Sequence, residues 1–270
     1  MNVLEIKNLD VTTPAGVKVV SGVSFSIAPG ARLGLIGESG SGKSLTALAV
    51  IGLLSSQLKA SGSVLLGDLN PQEILGAPER MLNTIRGKVA SIIFQEPLTA
   101  LDPLMKIGRQ LAEPLRRHQG ISGDALESAI IEALTEVRIT NPARIAQSFP
   151  HQISGGERQR AAIAMALACQ PSLLIADEPT TALDVTVQSE VLALLDSIVS
   201  ERNMALLFIS HDLAVVGQIT DTVVVLKDGF VVESGSLQEI MANPKHPYTQ
   251  DLVKNARVLD DALDIAKDGK

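Results

Sequence analysis

One segment of this chain reads Gly37-Glu38-Ser39-Gly40-Ser41-Gly42-Lys43-Ser44. It matches the pattern G-x-x-x-x-G-K-[ST] at every fixed position. An apolar run, Arg32 to Ile36, precedes the segment, and a helical pattern, Lys43 to Leu54, follows it. Strand, glycine-rich turn and helix in this order predict a phosphate-binding loop, because the glycines let the backbone approach an anion and the helix N-terminus directs positive partial charge at it. The alternative, a glycine-rich turn with a chance lysine, is disfavoured by these flanking elements.

We expect the whole loop, from Gly37 to Ser44, to contact a nucleotide such as ATP. Lys43 is expected to reach the β and γ phosphates, and the Ser44 hydroxyl is expected to coordinate Mg²⁺. A phosphate loop alone leaves kinases, GTPases, helicases and motors open.

Outward from the loop, short β-branched runs alternate with longer helical patterns. The predicted strands are Arg32–Ile36, Ala90–Phe94, Leu173–Ala176, Ala205–Ile209 and Thr222–Leu226. The predicted helices are Lys43–Leu54, Gly123–Val137, Glu157–Ala168 and Val185–Glu201. Strands separated by helices of this length predict an α/β fold with a parallel sheet and crossover connections.

Two regions depart from this alternation. Within residues 1–31, the runs Leu4–Ile6, Val17–Val20 and Val23–Ile27 predict an antiparallel β-layer, and residues 96–165 predict an inserted α-helical subdomain. We therefore expect one domain over residues 1–270. Its predicted parts are a nucleotide-binding core with the β-layer (1–95 and 166–226), the helical subdomain (96–165) and a C-terminal extension (227–270), which opens with a hairpin turn at Lys227-Asp228-Gly229-Phe230.

A second candidate element is the apolar strand Leu173–Ala176, which ends in the acid pair Asp177-Glu178. Successive side chains of a strand point to opposite sides, so the two carboxylates have different surroundings. Asp177 suits the Mg²⁺ ligand, and Glu178 suits the general base that polarises the attacking water. On its own, such an acid pair is equally well the solvent-exposed start of a loop. In a chain that also has a phosphate loop, the pair favours a catalytic role.

Another motif narrows the class. The segment Ile153-Ser154-Gly155-Gly156-Glu157-Arg158-Gln159-Arg160 resembles the L-S-G-G-Q signature of ABC ATPases, with Ile and Glu at its variable ends. Taken by itself, Ser-Gly-Gly before a helix is equally well an ordinary N-cap. The resemblance extends over essentially the whole chain, because further matches follow in the family's order. They are Gln95 of the Q-loop, Thr181-Ala182-Leu183-Asp184 of the D-loop and His211 of the switch.

The resemblance implies an ABC ATPase fold and roles for single residues. Two ATPase subunits pack head to tail around two ATP molecules. The residues implied to serve the nucleotide and Mg²⁺ on their own side are Lys43, Ser44, Gln95, Asp177, Glu178 and His211, with Gln95 counted among both the catalytic and the metal-binding residues. The residues implied to serve the partner's nucleotide or to couple the two sites are Ser154, Gly155, Gly156 and Asp184.

The resemblance is most specific for importers of dipeptides, oligopeptides or nickel. It rests on Phe94-Gln95-Glu96-Pro97, Leu101-Asp102-Pro103 and the segment Asn243 to Thr249, which contains His-Pro-Tyr-Thr. The His-Pro-Tyr-Thr segment is equally a rigid turn, since proline restricts its own backbone and that of the preceding residue. The implied partners are transmembrane permease subunits, a second, paralogous ABC ATPase subunit and, indirectly, a solute-binding protein. Short peptides are favoured over nickel or metal chelates.

The resemblance has one gap. Members of the family stack adenine on an aromatic residue of the β-layer, whose position here is Thr13, and the first aromatic residue of the chain is Phe25. Adenine stacking is therefore in doubt, and Val19 or another apolar side chain is the expected substitute.

Composition and charge set further bounds. Hydrophobic residues make up 46% of the sequence, which predicts a large core, and the net charge of −7 argues against nucleic acid as a partner. The one cysteine, Cys169, lies in the apolar run Ala161–Cys169, so we expect neither a disulfide nor an iron–sulfur cluster. Without a secretory signal or a membrane-spanning run, the chain is expected on the cytoplasmic face of the inner or plasma membrane, as a peripheral subunit.

Other function classes fit this sequence less well. A soluble ABC ATPase of DNA repair would carry a long coiled-coil insertion, and one that acts on the ribosome would carry two cassettes. A regulator without turnover would lack Glu178 or His211. An exporter remains open, although exporter cassettes are often fused to membrane helices.

Overall fold

The computed structural model describes residues 2–95, 100–181 and 184–268. In these ranges the strands are β1 (Leu4–Thr12), β2 (Lys18–Ile27), β3 (Arg32–Ile36), β4 (Lys59–Leu66), β5 (Gln72–Glu73), β6 (Ala90–Ile93), β7 (Leu173–Asp177), β8 (Ala205–Ser210), β9 (Thr222–Lys227) and β10 (Phe230–Ser236). The helices are α1 (Lys43–Val50), α2 (Glu79–Ile85), α3 (Ile107–Gln119), α4 (Gly123–Glu136), α5 (Pro142–Gln147), α6 (Gly155–Leu167), α7 (Val185–Glu201), α8 (Leu213–Val216), α9 (Leu237–Ala242) and α10 (Pro247–Asp268).

The chain forms two compact units, one of Met1–Ala77 with Ala205–Lys270 and the other of Pro78–Met204. Among the described residues, every helix is too short or too polar to cross a lipid bilayer. The domain boundaries predicted from the sequence differ from this division and stay a prediction.

The first unit contains the predicted antiparallel β-layer, with strand order β2-β1-β4-β5. In β1 the apolar residues Leu4, Ile6, Leu9 and Val11 are buried. Their alternation shifts by one residue at Asn8, which has a φ of 49°. The register against both neighbouring strands shifts there too, so this bulge keeps the apolar side chains on one face.

The structure corrects the predicted boundaries in this layer. The predicted runs Val17–Val20 and Val23–Ile27 do not form separate strands, because the continuous strand β2 begins at Lys18 and includes the rest of both runs. Gly22 has a φ of 62°, and its N–H donates to Asp10 Oδ1 at 2.8 Å. The chain therefore passes through this irregular position without leaving the sheet. The helix predicted over Lys43–Leu54 ends at Val50, since Gly52 takes a left-handed conformation that terminates it.

The first unit also contains strands of a parallel sheet. The central strand β3 pairs in parallel with β8 and β9, and β9 pairs with β10 in an antiparallel hairpin. Asp228 and Gly229 form the hairpin turn with φ values of 50° and 84°, which confirms the predicted turn. Because β3 is buried along most of its length, the loop that follows it starts from a rigid base.

The second unit contains the parallel pair β6–β7 and a group of helices, α3 to α6, that pack on one another. Buried apolar residues on these helices form the helical core: Ile107, Leu111, Leu115, Leu126, Ile130, Leu134 and Ile145. Arg202 stabilises this unit from the end of α7. Its guanidinium donates to the Leu167 carbonyl at 3.0 Å and pairs with the Glu136 carboxylate at 2.5 Å.

Gly34, in the middle of β3, provides a test of the first unit's packing. A Cβ atom at this position would lie 2.3 Å from Val216 Cγ1 and 3.1 Å from Thr220 Oγ1. Gly34→Ala should therefore lower the free energy of unfolding by about 2 kcal/mol, as overpacking a core does. The measurement is urea-induced unfolding followed by circular dichroism.

Gly235→Ala is the matched control, because its Cβ would make only ordinary contacts, the nearest at 3.4 Å. Its effect should stay within about 0.5 kcal/mol. Equal unfolding midpoints for Gly34→Ala and the wild-type protein would show that the packing around β3 is looser than described.

Candidate nucleotide-binding site

The predicted phosphate loop connects β3 to α1 in the first unit. Two of its glycines are required by close contacts. A Cβ on Gly37 would lie 2.3 Å from the Leu226 carbonyl oxygen, and a Cβ on Gly42 would lie 2.9 Å from the Val19 carbonyl oxygen. Gly42, the N-cap of α1, also has a φ of 98°. The loop is thus built from backbone that packs against β2 and β9, with α1 starting directly behind it.

Lys43 lies inside this loop. It is only 4% exposed, and its ammonium donates to the carbonyl oxygens of Gly37 at 2.7 Å and Glu38 at 2.9 Å. The Glu38 carbonyl also accepts the Ser41 N–H at 3.1 Å. The cation needed to neutralise a phosphate is therefore held within the loop in which the phosphate is expected.

The loop fits a phosphate group. The Ser41 hydroxyl oxygen is buried and has no hydrogen-bond partner among the described residues. A buried hydroxyl without a partner is destabilising, and a phosphate oxygen is an acceptor that would satisfy it. Ser44, by contrast, is exposed at the start of α1. Its hydroxyl belongs to the oxygen donors that Mg²⁺ prefers.

The acid pair lies at the end of β7 in the second unit. Asp177 is 7% exposed, and Glu178 follows it with a φ of 47°, in the left-handed region that residues with side chains rarely adopt. The Glu178 Oε2 atom accepts hydrogen bonds from Gln95 Nε2 at 3.2 Å and from the Thr181 hydroxyl at 2.9 Å. The structure thus brings together Gln95 and Glu178, two residues that are far apart in the sequence.

Two donors on a single oxygen fix the orientation of the Glu178 carboxylate. A general base must be held within hydrogen-bond reach of the proton that it accepts, so a fixed carboxylate suits this role. Thr181 has no predicted role of its own, although it belongs to the segment that resembles the D-loop. In the sequence, only its position three residues after Glu178 indicates that the two side chains can form a hydrogen bond.

Ser154 is the N-cap of α6. Its hydroxyl accepts the Glu157 N–H at 3.2 Å, while the Glu157 carboxylate accepts the Ser154 N–H at 2.9 Å, so the two form a capping box. Desolvation raises the pKa of Glu157, but the hydrogen bonds with Ser154 and the nearby Arg144 outweigh it and hold the pKa below its ordinary value. Ser154 is therefore an N-cap, as one of the two interpretations of the motif predicted. Ser154 and Gly155 are both exposed to solvent.

The acidic residue of this motif is paired with a cation. Arg144 forms an ion pair with Glu157, which places a positive charge beside the helix N-terminus. The negative charge that would otherwise oppose an incoming phosphate is thereby balanced. The ion pair therefore makes Glu157 compatible with the predicted phosphate contact, at a position where the family pattern has Gln.

Gln159 links this helix to the acid pair. It is 1% exposed, and its Nε2 donates to the Pro179 carbonyl at 2.5 Å. Because Pro179 directly follows Glu178, the buried amide fixes the backbone beside the expected base. In the sequence Gln159 is only one residue of the signature-like motif, and its spacing gives no sign of this contact.

The remaining predicted residues lie at element ends. His211 is exposed directly after β8, and the following Asp212 caps α8 by accepting the Ala214 N–H at 2.8 Å. Asp184 caps α7 by accepting the Val187 N–H at 2.9 Å. Parts of the Q-loop and D-loop motifs lie outside the described residues: Glu96, Pro97, Ala182 and Leu183.

The predicted residues are divided between the two units. The phosphate loop and His211 belong to the first unit, and Gln95, Ser154, Asp177, Glu178 and Asp184 belong to the second. The Mg²⁺ ligand set of Ser44, Gln95 and Asp177 thus draws on both units and stays a prediction, as do the individual catalytic roles.

Thr13, at the position expected for an adenine-stacking residue, has a local role. Its hydroxyl accepts the Val17 N–H at 3.2 Å, and its own N–H donates to the Val17 carbonyl at 2.9 Å. Thr13 thus closes the turn between β1 and β2. Val17 is 58% exposed, while Val19 is half-buried, and the substitute for the aromatic residue stays a prediction.

Residues 20–181 match the protein family described as ABC transporter, which covers more than half of the chain. The chain belongs to the ABC transporter family. It is accordingly an ABC ATPase, as its phosphate loop, acid pair and signature motif predicted. The predicted fold class and the predicted family are both confirmed.

Individual relatives support the same conclusion. This ABC ATPase is 45% identical over 258 residues to the oligopeptide transport ATP-binding protein OppD of Lactococcus lactis, a match that covers 94% of this chain and 75% of that one. It is also 45% identical over 261 residues to OppD of Salmonella typhimurium, covering 95% and 77% of the two chains. The ATP-binding cassette MJ0796, solved as a dimer in a post-hydrolysis state with ADP and Pi, superposes with a TM-score of 0.76 at 28% identity, covering 87% of this chain and 98% of that one.

The Glu178 geometry predicts how this ABC ATPase responds to removal of the base. Glu178→Gln should leave MgATP binding intact and lower the hydrolysis rate by about 10²- to 10⁴-fold, because an amide cannot accept the proton of the attacking water. Phosphate release and nucleotide binding, measured on the assembled complex, provide the two readouts.

Lys43→Ala is the comparison variant, since it removes a phosphate-binding charge instead of the base. It should raise the Kd for MgATP by about tenfold or more. A Glu178→Gln complex that retained most of the wild-type hydrolysis rate would exclude Glu178 as the general base.

Proposed function

We propose that this chain is the ATP-hydrolysing subunit of an importer for short peptides. The observation that carries the proposal is its 45% identity to two oligopeptide transport ATP-binding proteins over nearly its whole length. The His-Pro-Tyr-Thr segment supports the same assignment through its resemblance to dipeptide, oligopeptide and nickel importers. It lies at the start of the long helix α10, where Tyr248 is buried. Nickel and metal chelates are the competing cargo.

The proposed assembly contains transmembrane permease subunits, this chain and a second, paralogous ABC ATPase subunit, with a solute-binding protein delivering the cargo. The exposed N-terminus of α6 supports a paired arrangement, since Ser154 and Gly155 offer a surface suited to bind the nucleotide phosphates of a partner subunit. The dimeric state of the MJ0796 cassette supports it as well. In this assembly the chain is a peripheral subunit on the cytoplasmic face of the membrane.

The proposed reaction follows from the chain's own groups. Lys43 and the loop amides bind the nucleotide phosphates, and Ser44, Asp177 and Gln95 would hold Mg²⁺, which neutralises phosphate charge. Glu178, oriented by Gln95 and Thr181, accepts a proton from the water that attacks the γ-phosphorus. The bond to the ADP oxygen breaks, and inorganic phosphate leaves. His211 and the partner's signature helix complete the site around the γ-phosphate.

In the proposed cycle, ATP binding brings the two ATPase subunits together and hydrolysis separates them. A ligand shifts such an equilibrium only through different affinities for the two states. Contacts between the γ-phosphate and the signature helix of the opposite subunit exist only in the closed state. They therefore supply the difference in affinity that drives the permease.

Uptake in cells tests the cargo. Cells that lack this ATPase should lose import of a labelled tripeptide, and the wild-type gene should restore it while the Glu178→Gln gene should not. Nickel uptake is measured in the same cells. Loss of nickel import with normal peptide import would replace peptide by metal as the cargo, and loss of an unrelated solute alone would refute the proposal.

Assembly has a separate test. Because each proposed site needs the signature helix of the other subunit, the isolated monomer should hydrolyse ATP slowly compared with the purified complex. Light scattering under assay conditions establishes the monomeric state. Full activity of a strict monomer would contradict the paired site, whereas a transporter containing only copies of this ATPase would contradict just the paralogous partner.

A further inference from the structure

The segment from Asn243 to Thr249 is fixed against the β9–β10 hairpin in the first unit. The Glu233 carboxylate, on β10, accepts the N–H groups of Lys245 at 2.8 Å and His246 at 2.9 Å. Desolvation raises the pKa of Glu233, but these hydrogen bonds outweigh it and hold the pKa below its ordinary value. The carboxylate therefore stays charged and anchors the start of α10.

Tyr248 is the buried residue of this segment, with an exposed fraction of 6%. The ammonium of Lys227, the last residue of β9, lies 5.0 Å from the centre of its ring, within the range of a cation–π contact. The Tyr248 hydroxyl is buried and makes no hydrogen bond of normal geometry with any described residue. A phenylalanine would serve a purely apolar role at this position without that unsatisfied group.

The hydroxyl faces the phosphate loop. Burial raises the pKa of Tyr248, the carboxylates of Glu38 and Asp228 raise it further, and the backbone N–H of Glu38 acts in the opposite direction. The Glu38 peptide and the Tyr248 hydroxyl are therefore neighbours. The contact of Gly37 with the Leu226 carbonyl independently places the loop at the end of β9, one residue before Lys227.

Glu38 connects Tyr248 to the phosphate-binding cation. Its carbonyl oxygen accepts the Lys43 ammonium and the Ser41 N–H, while its own N–H is the group beside the Tyr248 hydroxyl. When Lys43 turns toward a bound phosphate, the Glu38 peptide loses the ammonium that holds it here. A neighbouring hydroxyl with spare hydrogen-bonding capacity can then hold that peptide in place.

We propose that Tyr248 is a positioning residue for the phosphate loop, which fixes the Glu38 peptide through its hydroxyl and so sets the affinity for MgATP. Lys227, whose ammonium lies over the ring, helps to hold the ring in place. The His-Pro-Tyr-Thr segment thereby acts on the nucleotide site as well as on the turn that it forms. This role depends on ATP binding by the loop and is independent of the transported molecule.

The test is Tyr248→Phe in the full chain and in the assembled complex. Loss of one hydrogen bond in the nucleotide-bound state should raise the MgATP Kd, and the KM for hydrolysis, by about fivefold, with kcat nearly unchanged. The melting temperature of the nucleotide-free protein should not fall below the wild-type value, because the hydroxyl makes no hydrogen bond there whose loss would destabilise the fold. Lys227→Met should raise the Kd in the same direction, by about twofold.

Thr249→Val is the matched control. Thr249 is fully buried in the same helical turn, but its hydroxyl lies near Glu233 and not near the loop. This variant should change the melting temperature while leaving the MgATP Kd at the wild-type value. An unchanged Kd in Tyr248→Phe would overturn the proposal, and so would equal losses of affinity in Tyr248→Phe and Thr249→Val, which indicate general destabilisation. A wild-type protein that bound no MgATP would overturn both this role and the ATPase assignment.

Discussion

The approach of two glycines to one carbonyl group organises the nucleotide site. The Val19 carbonyl oxygen would lie 2.9 Å from a Cβ on Gly42 and 2.8 Å from a Cβ on Gly229. Strand β2, the phosphate loop and the tip of the β9–β10 hairpin therefore approach one another closely at the Val19 carbonyl, where neither glycine position has room for a side chain. Gly42 is the N-cap of α1, and Gly229 follows Lys227 and Asp228 in the hairpin. The shared contact therefore fixes the N-terminus of α1 and the phosphate loop relative to Lys227, which contacts Tyr248.

Local patterns were sufficient to predict much of the fold and of the candidate site. The boundaries of β3 and α7 agree with the predicted ones to the residue, because buried strands and capped helices have strong sequence signals. The phosphate loop was recognisable since its glycines and lysine are required at fixed spacing by one short turn. Ser154 could be recognised as an N-cap because a serine three residues before a glutamate, at the start of a helical pattern, is a local capping signal.

Contacts between distant segments could not be predicted in this way. The hydrogen bond from Gln159 to Pro179 and the proximity of Tyr248 to Glu38 depend on how elements pack, and no periodicity or spacing encodes them. Strand β4 was missed because Lys59 to Ser63 is polar and contains Gly62, which lies against the Asn8 carbonyl at the bulge in β1. Its strand character comes from pairing with β1, and its own residues favour a turn.

The backbone conformation of Glu178 has a consequence for how this sequence can change. A residue with a side chain in the left-handed region carries a conformational cost of about 1–2 kcal/mol, which glycine would not have. Mutation to glycine would therefore relieve this backbone strain, while removing the carboxylate and its hydrogen bonds with Gln95 and Thr181. Natural selection can keep the glutamate only as long as turnover itself contributes to fitness.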